Sequence, residues 1–342
     1  MRKLGLDRFS GLYLLAIFIV VFSILAPSTF PTIESVHIVA STQSVSALVA
    51  LALMIPLVCN QFDVSVGATA NLAGIVCISM QTNGWLGTLP AVILSVLIGS
   101  LIGVVNGFVV VNLRVNSFIG TLATTSIVGS TLLLVAGGSV LPQIETGTYT
   151  AMAQTTVLGF QVIIVYLFAL ALILWWVLER TPVGRYMYAS GSNPEAARLT
   201  GIDVDLWTRL SFIASGSIAA FAGVLFVSLV GPSLDFGGGL LLPSFAAVFL
   251  GMTQIRPGRA NVWGTLVAIL VLAVMAQGLQ LTTGAVWVSG MFNGLALIAA
   301  VALAVSRERS IAAGKRAAQA KAPPPRSPAD VIPHEADHEV AP

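Results

Sequence analysis

The chain predicts an all-α, polytopic membrane protein with about ten transmembrane helices, some of them broken or half-length. Composition is the first reason: 56% of its 342 residues are hydrophobic and only 9% charged, with mean hydropathy +0.94. A soluble domain carries roughly 25% charged residues. The second reason is length, because apolar runs recur at about the ~20 residues that a helix needs to cross a bilayer. The third is the placement of charge. With the N-terminus inside, all 16 Lys and Arg residues fall in the two tails or in and beside inward loops, among them Arg114, Arg180, Arg185, Arg198, Arg209, Arg256 and Arg259. The outward loops then hold Glu34, His37, Glu145 and Asp235. Basic residues stay on the cytoplasmic side, so the pattern predicts an even number of spans with both termini cytoplasmic. The expected organisation is a cytoplasmic N-terminus at 1–10, a membrane domain at 11–305 and a cytoplasmic tail at 306–342.

The first apolar run follows Arg2, Lys3 and Arg8 as a signal peptide would, but Pro27-Ser28-Thr29-Phe30 offers no small-residue cleavage pattern, so 11–27 is the first span. Spans at 43–60 and 64–82 follow. Around their junction lie Gln61, Asp63, Ser65, Thr69 and Asn71. Polar groups in lipid are expensive unless they face a cavity or another helix. Asp63 either caps a helix at the interface or joins Ser65 and Asn71 along a solute path. The fourth span, 88–111, carries Asn106, and its Gly103 and Gly107 form a small-xxx-small pair suited to close helix contact. Arg114 belongs at a helix end, since an arginine at the midplane costs ~2.5–3.5 kcal/mol.

Asn116 or Ser117 can cap the fifth span, 117–137. Thr121, Thr124, Thr125 and Val128 share one side at helical spacing. Their hydroxyls either line a hydrated path with Asn116, Ser117 and Phe118 or bond back to carbonyls a turn earlier. Gly138 to Leu158, rich in Thr, Gly and Gln, reads either as a solvated outer loop or as part of a surface that a protein outside the membrane would meet.

After the sixth span, 159–178, comes the polar stretch GRYMYASGSNPEAARLTGI at 184–202. Asn193 can be the N-cap of a short helix, with Pro194 at its first position and Glu195 at the positive end of its dipole. Gly201 stands where a left-handed residue would end it. Two turns are too few to stand alone in water, so this helix must lean on its own protein or on another. Spans at 209–230, 241–252, 261–280 and 286–305 follow, the eighth too short to cross unaided and expected to be a half-helix or a broken one. An echo between Asp63-Val64-Ser65-Val66-Gly67 and Asp235-Phe236-Gly237-Gly238 fits an inverted repeat, in which interrupted helices surround the binding region.

The tail, Ala- and Pro-rich with charge, is expected to be disordered. His334 and His338 stand four apart in it, but Pro333 opposes a metal-binding helix, and no metal is expected. Cys59 and Cys77 lie in apolar runs and imply no disulfide framework. The chain lacks a G-x-x-x-x-G-K-[ST] loop, so no nucleotide or other cofactor is expected. Catalytic residues are expected to be absent, since no span carries a nucleophile with a base, and nucleic acid is not an expected partner.

The stretch at 184–202, together with the run GVVNGFVVVNLRVNSFIGTLAT and the element Asp63-Val64-Ser65-Val66-Gly67, resembles ribose-type ABC sugar importer permeases of the inner membrane. The likeness covers roughly 40–305. It implies a permease subunit that moves a monosaccharide or related polyol across the inner membrane, with partners in an ABC ATPase subunit, a periplasmic sugar-binding protein and a second permease copy. Gly191, Asn193, Pro194, Glu195, Ala196, Ala197, Arg198 and Gly201 would then form the segment that couples to the ATPase. The loop after span eight departs from the family, with Met252, Gln254, Ile255 and Arg256 where relatives have more glycine. Solutes of neighbouring groups, such as nucleosides, and an ion-coupled secondary transporter are the alternatives. The second of these would need paired ionisable groups near the midplane, where Asp63 is the candidate.

Overall fold

The computed structural model describes residues 10–144, 147–157, 159–285 and 287–321. The chain divides into two units, Met1–Ala304 and Val305–Pro342. In chain order the first half comprises α1 (Ser10–Leu25), α2 (Ile33–Val58), α3 (Val66–Thr82), α4 (Thr88–Gly107) with a following π turn (Phe108–Asn112), and α5 (Ser117–Ala136). A connecting segment holds α6 (Thr148–Gln154) and a hairpin of β1 (Thr156–Val157) and β2 (Phe160–Gln161). Then come α7 (Ile163–Arg180), α8 (Pro182–Ser192), α9 (Pro194–Leu199), α10 (Val204–Val230), α11 (Phe236–Gly251), α12 (Val262–Thr283) and α13 (Trp287–Lys321).

Among the described residues six helices are long and apolar enough to cross a membrane, namely α2, α4 with its π turn, α5, α7, α10 and α12. Four apolar stretches are shorter: α1, α3, α11 and Trp287–Leu303 of α13. These ten correspond one to one with the apolar runs of the sequence. At 16 residues α11 is about 24 Å long, short of the ~30 Å hydrocarbon thickness, as its run implies.

Three expectations need correction. Helix α2 begins at Ile33 rather than 43, because the Thr32 side chain accepts from the Ser35 amide and caps a polar first turn that hydropathy does not register. Residues 306–321 continue α13 to Lys321 instead of forming irregular chain, and their alanine-rich composition favours helix. The segment 138–158 is not solvated throughout, since Tyr149, Thr150 and Ala153 of α6 are buried. Arg2, Lys3, Arg8, Glu145, His334 and His338 lie outside the described residues.

Helix α2 is the centre of the bundle, with every residue from Ser44 to Pro56 buried. Helix α10 lies between α3 and α4. Its Gly223 backbone meets Ala70 and Gly74 on α3, its Gly216 meets Gly99 on α4, and its Phe212 meets Gly103. The order of these contacts makes α10 parallel to α3 and antiparallel to α4. Gly103 and Gly107 do serve close packing, and their partner is α10, with Arg209 against Gly107. Exposed Ile17, Leu97, Leu101, Ile127 and Ile173 spread over α1, α4, α5 and α7, the side chains that lipid would solvate.

Candidate functional site

The link between α2 and α3 is held from three directions. Asp63, 1% exposed, accepts at Oδ1 from the Ser65 hydroxyl (2.6 Å) and amide (3.1 Å), and at Oδ2 from the Ser215 hydroxyl of α10 (2.8 Å). Asn106 of α4 donates to the Ser65 hydroxyl (2.8 Å). From α5, the Ser117 hydroxyl receives the Phe62 amide (3.1 Å) and the Thr121 hydroxyl receives the Val64 amide (3.0 Å). Asp63 therefore ties α10 to the α2–α3 link, and its partners are all neutral donors.

The structure thus gathers Asp63, Ser65, Asn106, Ser117 and Thr121 around one loop. It leaves Asn116, Phe118 and Thr124 out of it. Asn116 accepts from the Phe118 and Ile119 amides as the α5 cap, Phe118 is exposed, and the Thr124 hydroxyl donates back to the Gly120 carbonyl (3.2 Å). Thr121 and Thr125 likewise donate back to carbonyls four residues earlier. Back-bonding is the use these hydroxyls make of their protons.

The two echo sequences meet in space. A Cβ on Gly67 would strike the Gly237 carbonyl, and one on Gly237 would strike the Gly67 carbonyl, so the first turns of α3 and α11 cross in backbone contact. Each short helix follows a break: Cys59–Ser65 after α2 and Gly231–Asp235 after α10. Beside the crossing lies a cleft of about 160 Å³ whose lining includes Asn71, Thr125 and Asp235. Asn71 donates to the Leu234 carbonyl (2.7 Å), and its buried Oδ1 finds no partner among the described residues. The apolar members of the lining include Val64, Leu132 and Leu241.

The polar stretch forms α8 and α9, capped where the sequence placed the caps. The Asn193 side chain accepts from the Ala196 amide (3.0 Å). Gly201, at φ +83°, closes the C-terminus with its amide on the Arg198 carbonyl and the Ile202 amide on that of Ala197. This paired pattern is a Schellman motif. Pro194, Glu195 and Ala196 are exposed, Ala197 is buried, and Leu199 is 90% exposed. Arg198 pairs with Asp205 of α10. Gly191 faces away from this surface: a Cβ there would strike the Val58 carbonyl at the end of α2. The α8 backbone therefore abuts the segment that leads to Asp63.

A second polar cluster joins α7, α8 and the α11–α12 loop. Glu179 pairs with Arg256 and, at 3.4 Å, with Arg259, whose guanidinium lies 3.6 Å from the Tyr188 ring centre. The Tyr188 hydroxyl donates to the Ala260 carbonyl (2.6 Å). Burial pushes that hydroxyl above its ordinary pKa, against the pull of Arg259, so it remains a donor at physiological pH. The loop turns tightly despite its few glycines, with Ile255 at φ +55° and Gly258 at φ +84°, and Gly251 closely abutting Gly264.

Sequence reasoning passed over Glu179, Ser215 and Leu199 as functional groups. Glu179 ends an apolar run like any interface charge, and Ser215 looks like a packing residue. Leu199 gives a signal only once α9 is seen to expose it.

An apolar helical bundle in which two short helices cross beside a cleft with a few polar side chains is the architecture of an integral membrane permease. Residues 35–301 match the family model described as branched-chain amino acid transport system / permease component, and the chain belongs to that family. It is 29% identical over 299 residues to the D-allose transport system permease protein of Escherichia coli (strain K12), covering 87% of this chain and 91% of the relative. It is 30% identical over 290 residues to the ribose import permease protein of the same strain, covering 82% and 88%. To an autoinducer 2 import system permease protein of Yersinia enterocolitica it is 30% identical over 260 residues, covering 74% and 78%. The chain is thus a multi-pass permease subunit of an ABC importer, a class that works with ATPase and substrate-binding partners.

Proposed function

We propose that this permease carries a monosaccharide or related polyol across the inner membrane, with both termini cytoplasmic and ATP hydrolysed on a separate subunit. The observation that carries the reading is the crossing of α3 and α11 at Gly67 and Gly237, beside a cleft with Asn71, Thr125 and Asp235. Interrupted helices of this kind mark transporter binding regions, and parting them would open a path. A largely neutral lining suits a hydroxylated solute, and the names of the ribose and allose relatives support it.

The drive would enter at α9, whose exposed Glu195 and Leu199 present a surface to the ATPase. Movement of α8 would pass through Gly191 to the end of α2, then through Asp63 to α10, on which α3 and α4 pack. Two permease copies complete the assembly, by family resemblance, and a periplasmic sugar-binding protein delivers the solute.

The test is uptake into proteoliposomes holding the permease, its ATPase and its binding protein, with ribose, allose and ribitol offered separately. ATP-dependent uptake of at least one is expected. Uptake that persists without the ATPase, or failure of all three while another solute class is imported, contradicts the reading.

A further inference from the structure

A larger cleft, of about 430 Å³, lies away from the helix crossing, between the first turns of α2, the β1–β2 hairpin and the last turn of α10. The volume falls in the range typical of small-molecule sites. Helix α2 places His37 and Ser41 four residues apart, with Ile38 and Thr42 beside them, so all four share one face. Thr156 and Gln161 are cross-strand partners and so present their side chains on one face of the hairpin. Leu229 and Val230 supply an apolar wall.

Two polar side chains here lack hydrogen-bond partners among the described residues. Ser41 is 8% exposed and makes no hydrogen bond among the described residues; the Gln161 Oε1 atom is buried and unpaired among them. A buried acceptor left alone is costly, which makes such groups informative about what else binds. Among the described residues the cleft is lined by no carboxylate, ammonium or guanidinium. Gly159, at φ +85°, turns the hairpin close to the His37 ring, and Phe160 meets that ring edge-on at 4.7 Å. We infer that this cleft is a second solute site, on the outer side of the permease, for a neutral polyhydroxylated molecule of monosaccharide size whose hydroxyls bond to Ser41 and Gln161. The outer placement and the solute class rest on the proposed function.

The site is tested with the full chain in phosphatidylcholine nanodiscs, titrated with D-ribose, D-allose and ribitol and followed by saturation-transfer NMR. At least one of them binds saturably to the wild type. Ser41→Val and Gln161→Leu each weaken binding about tenfold, the scale of one lost hydrogen bond. Thr42→Ala, at an exposed position that leaves packing intact, weakens it less, and Leu134→Ala on a distant exposed face leaves it unchanged. No saturable binding to the wild type, or equal affinity across all the variants, overturns the site. ATP-driven uptake of the same sugars, measured in parallel, separates the two readings. Uptake without this binding removes the second site and leaves the import function standing; binding without uptake does the reverse.

Discussion

Asp63 joins the α2–α3 link to α10, and through Ser65 to α4, because its carboxyl takes hydrogen bonds from Ser65 and Ser215 while Asn106 secures Ser65. Asp63→Ala leaves those buried donors without an acceptor, at on the order of 1–3 kcal/mol for each group left unpaired. Asp63→Asn keeps one oxygen, and its amide can donate to Ser215, so it costs less. Thermal unfolding in detergent should rank them wild type, Asp63→Asn, Asp63→Ala, and equal melting of all three would contradict the clamp. At the helix crossing, Gly237→Ala forces a methyl onto the Gly67 carbonyl. Overpacking of this kind costs about 1–3 kcal/mol, so the variant should melt lower and transport less. Wild-type behaviour would mean that the crossing is looser than the geometry requires.

Among the elements, the helices were the most legible part of the sequence, because a run of ~20 apolar residues has few alternatives to a membrane span. The caps of α9 were legible too, since Asn193, Pro194 and Gly201 each suit one position only. Side-chain partnerships were not. Asp63, Ser65, Asn106, Ser117 and Thr121 stood out by type, yet nothing in the sequence brought Ser215 to Asp63 from 152 residues away. Helix α6, TYTAMAQ, was hidden because seven residues are too few for an apolar period to stand out, and its burial depends on α10 through Tyr149. Burial decides which α9 residues report on docking. Ala197 is buried, so a bulky residue there would lift the helix from its seat. Leu199 is exposed, so Leu199→Asp changes the surface alone. Glu179→Ala frees Arg256 and Arg259 and loosens the α11–α12 loop from α7 and α8. It should lower ATP-driven uptake several-fold with the protein still inserted, whereas unchanged uptake would make the cluster dispensable.

At the scale of the whole molecule, α2 and α10 form the inner frame, and a short helix follows each of them after a break: α3 after α2, α11 after α10. Helix α10 packs along α3 and α4, while α2 contacts α11 and α12. This reciprocal arrangement is what an inverted pair of units produces. It sets the crossing of α3 and α11 between the frame helices and joins it to the polar segment through Gly191 and Asp63. On the proposed function, a separate ATPase drives this frame from α9. The most direct measurement is a pull-down of the detergent-solubilised wild type and the Leu199→Asp variant, with ATPase activity assayed in each eluate. ATPase that accompanies the wild type and is lost from an equally well-folded variant is the predicted result. ATPase retained by both would show that the drive enters elsewhere, and none with the wild type, under conditions that keep complexes intact, would contradict the claim.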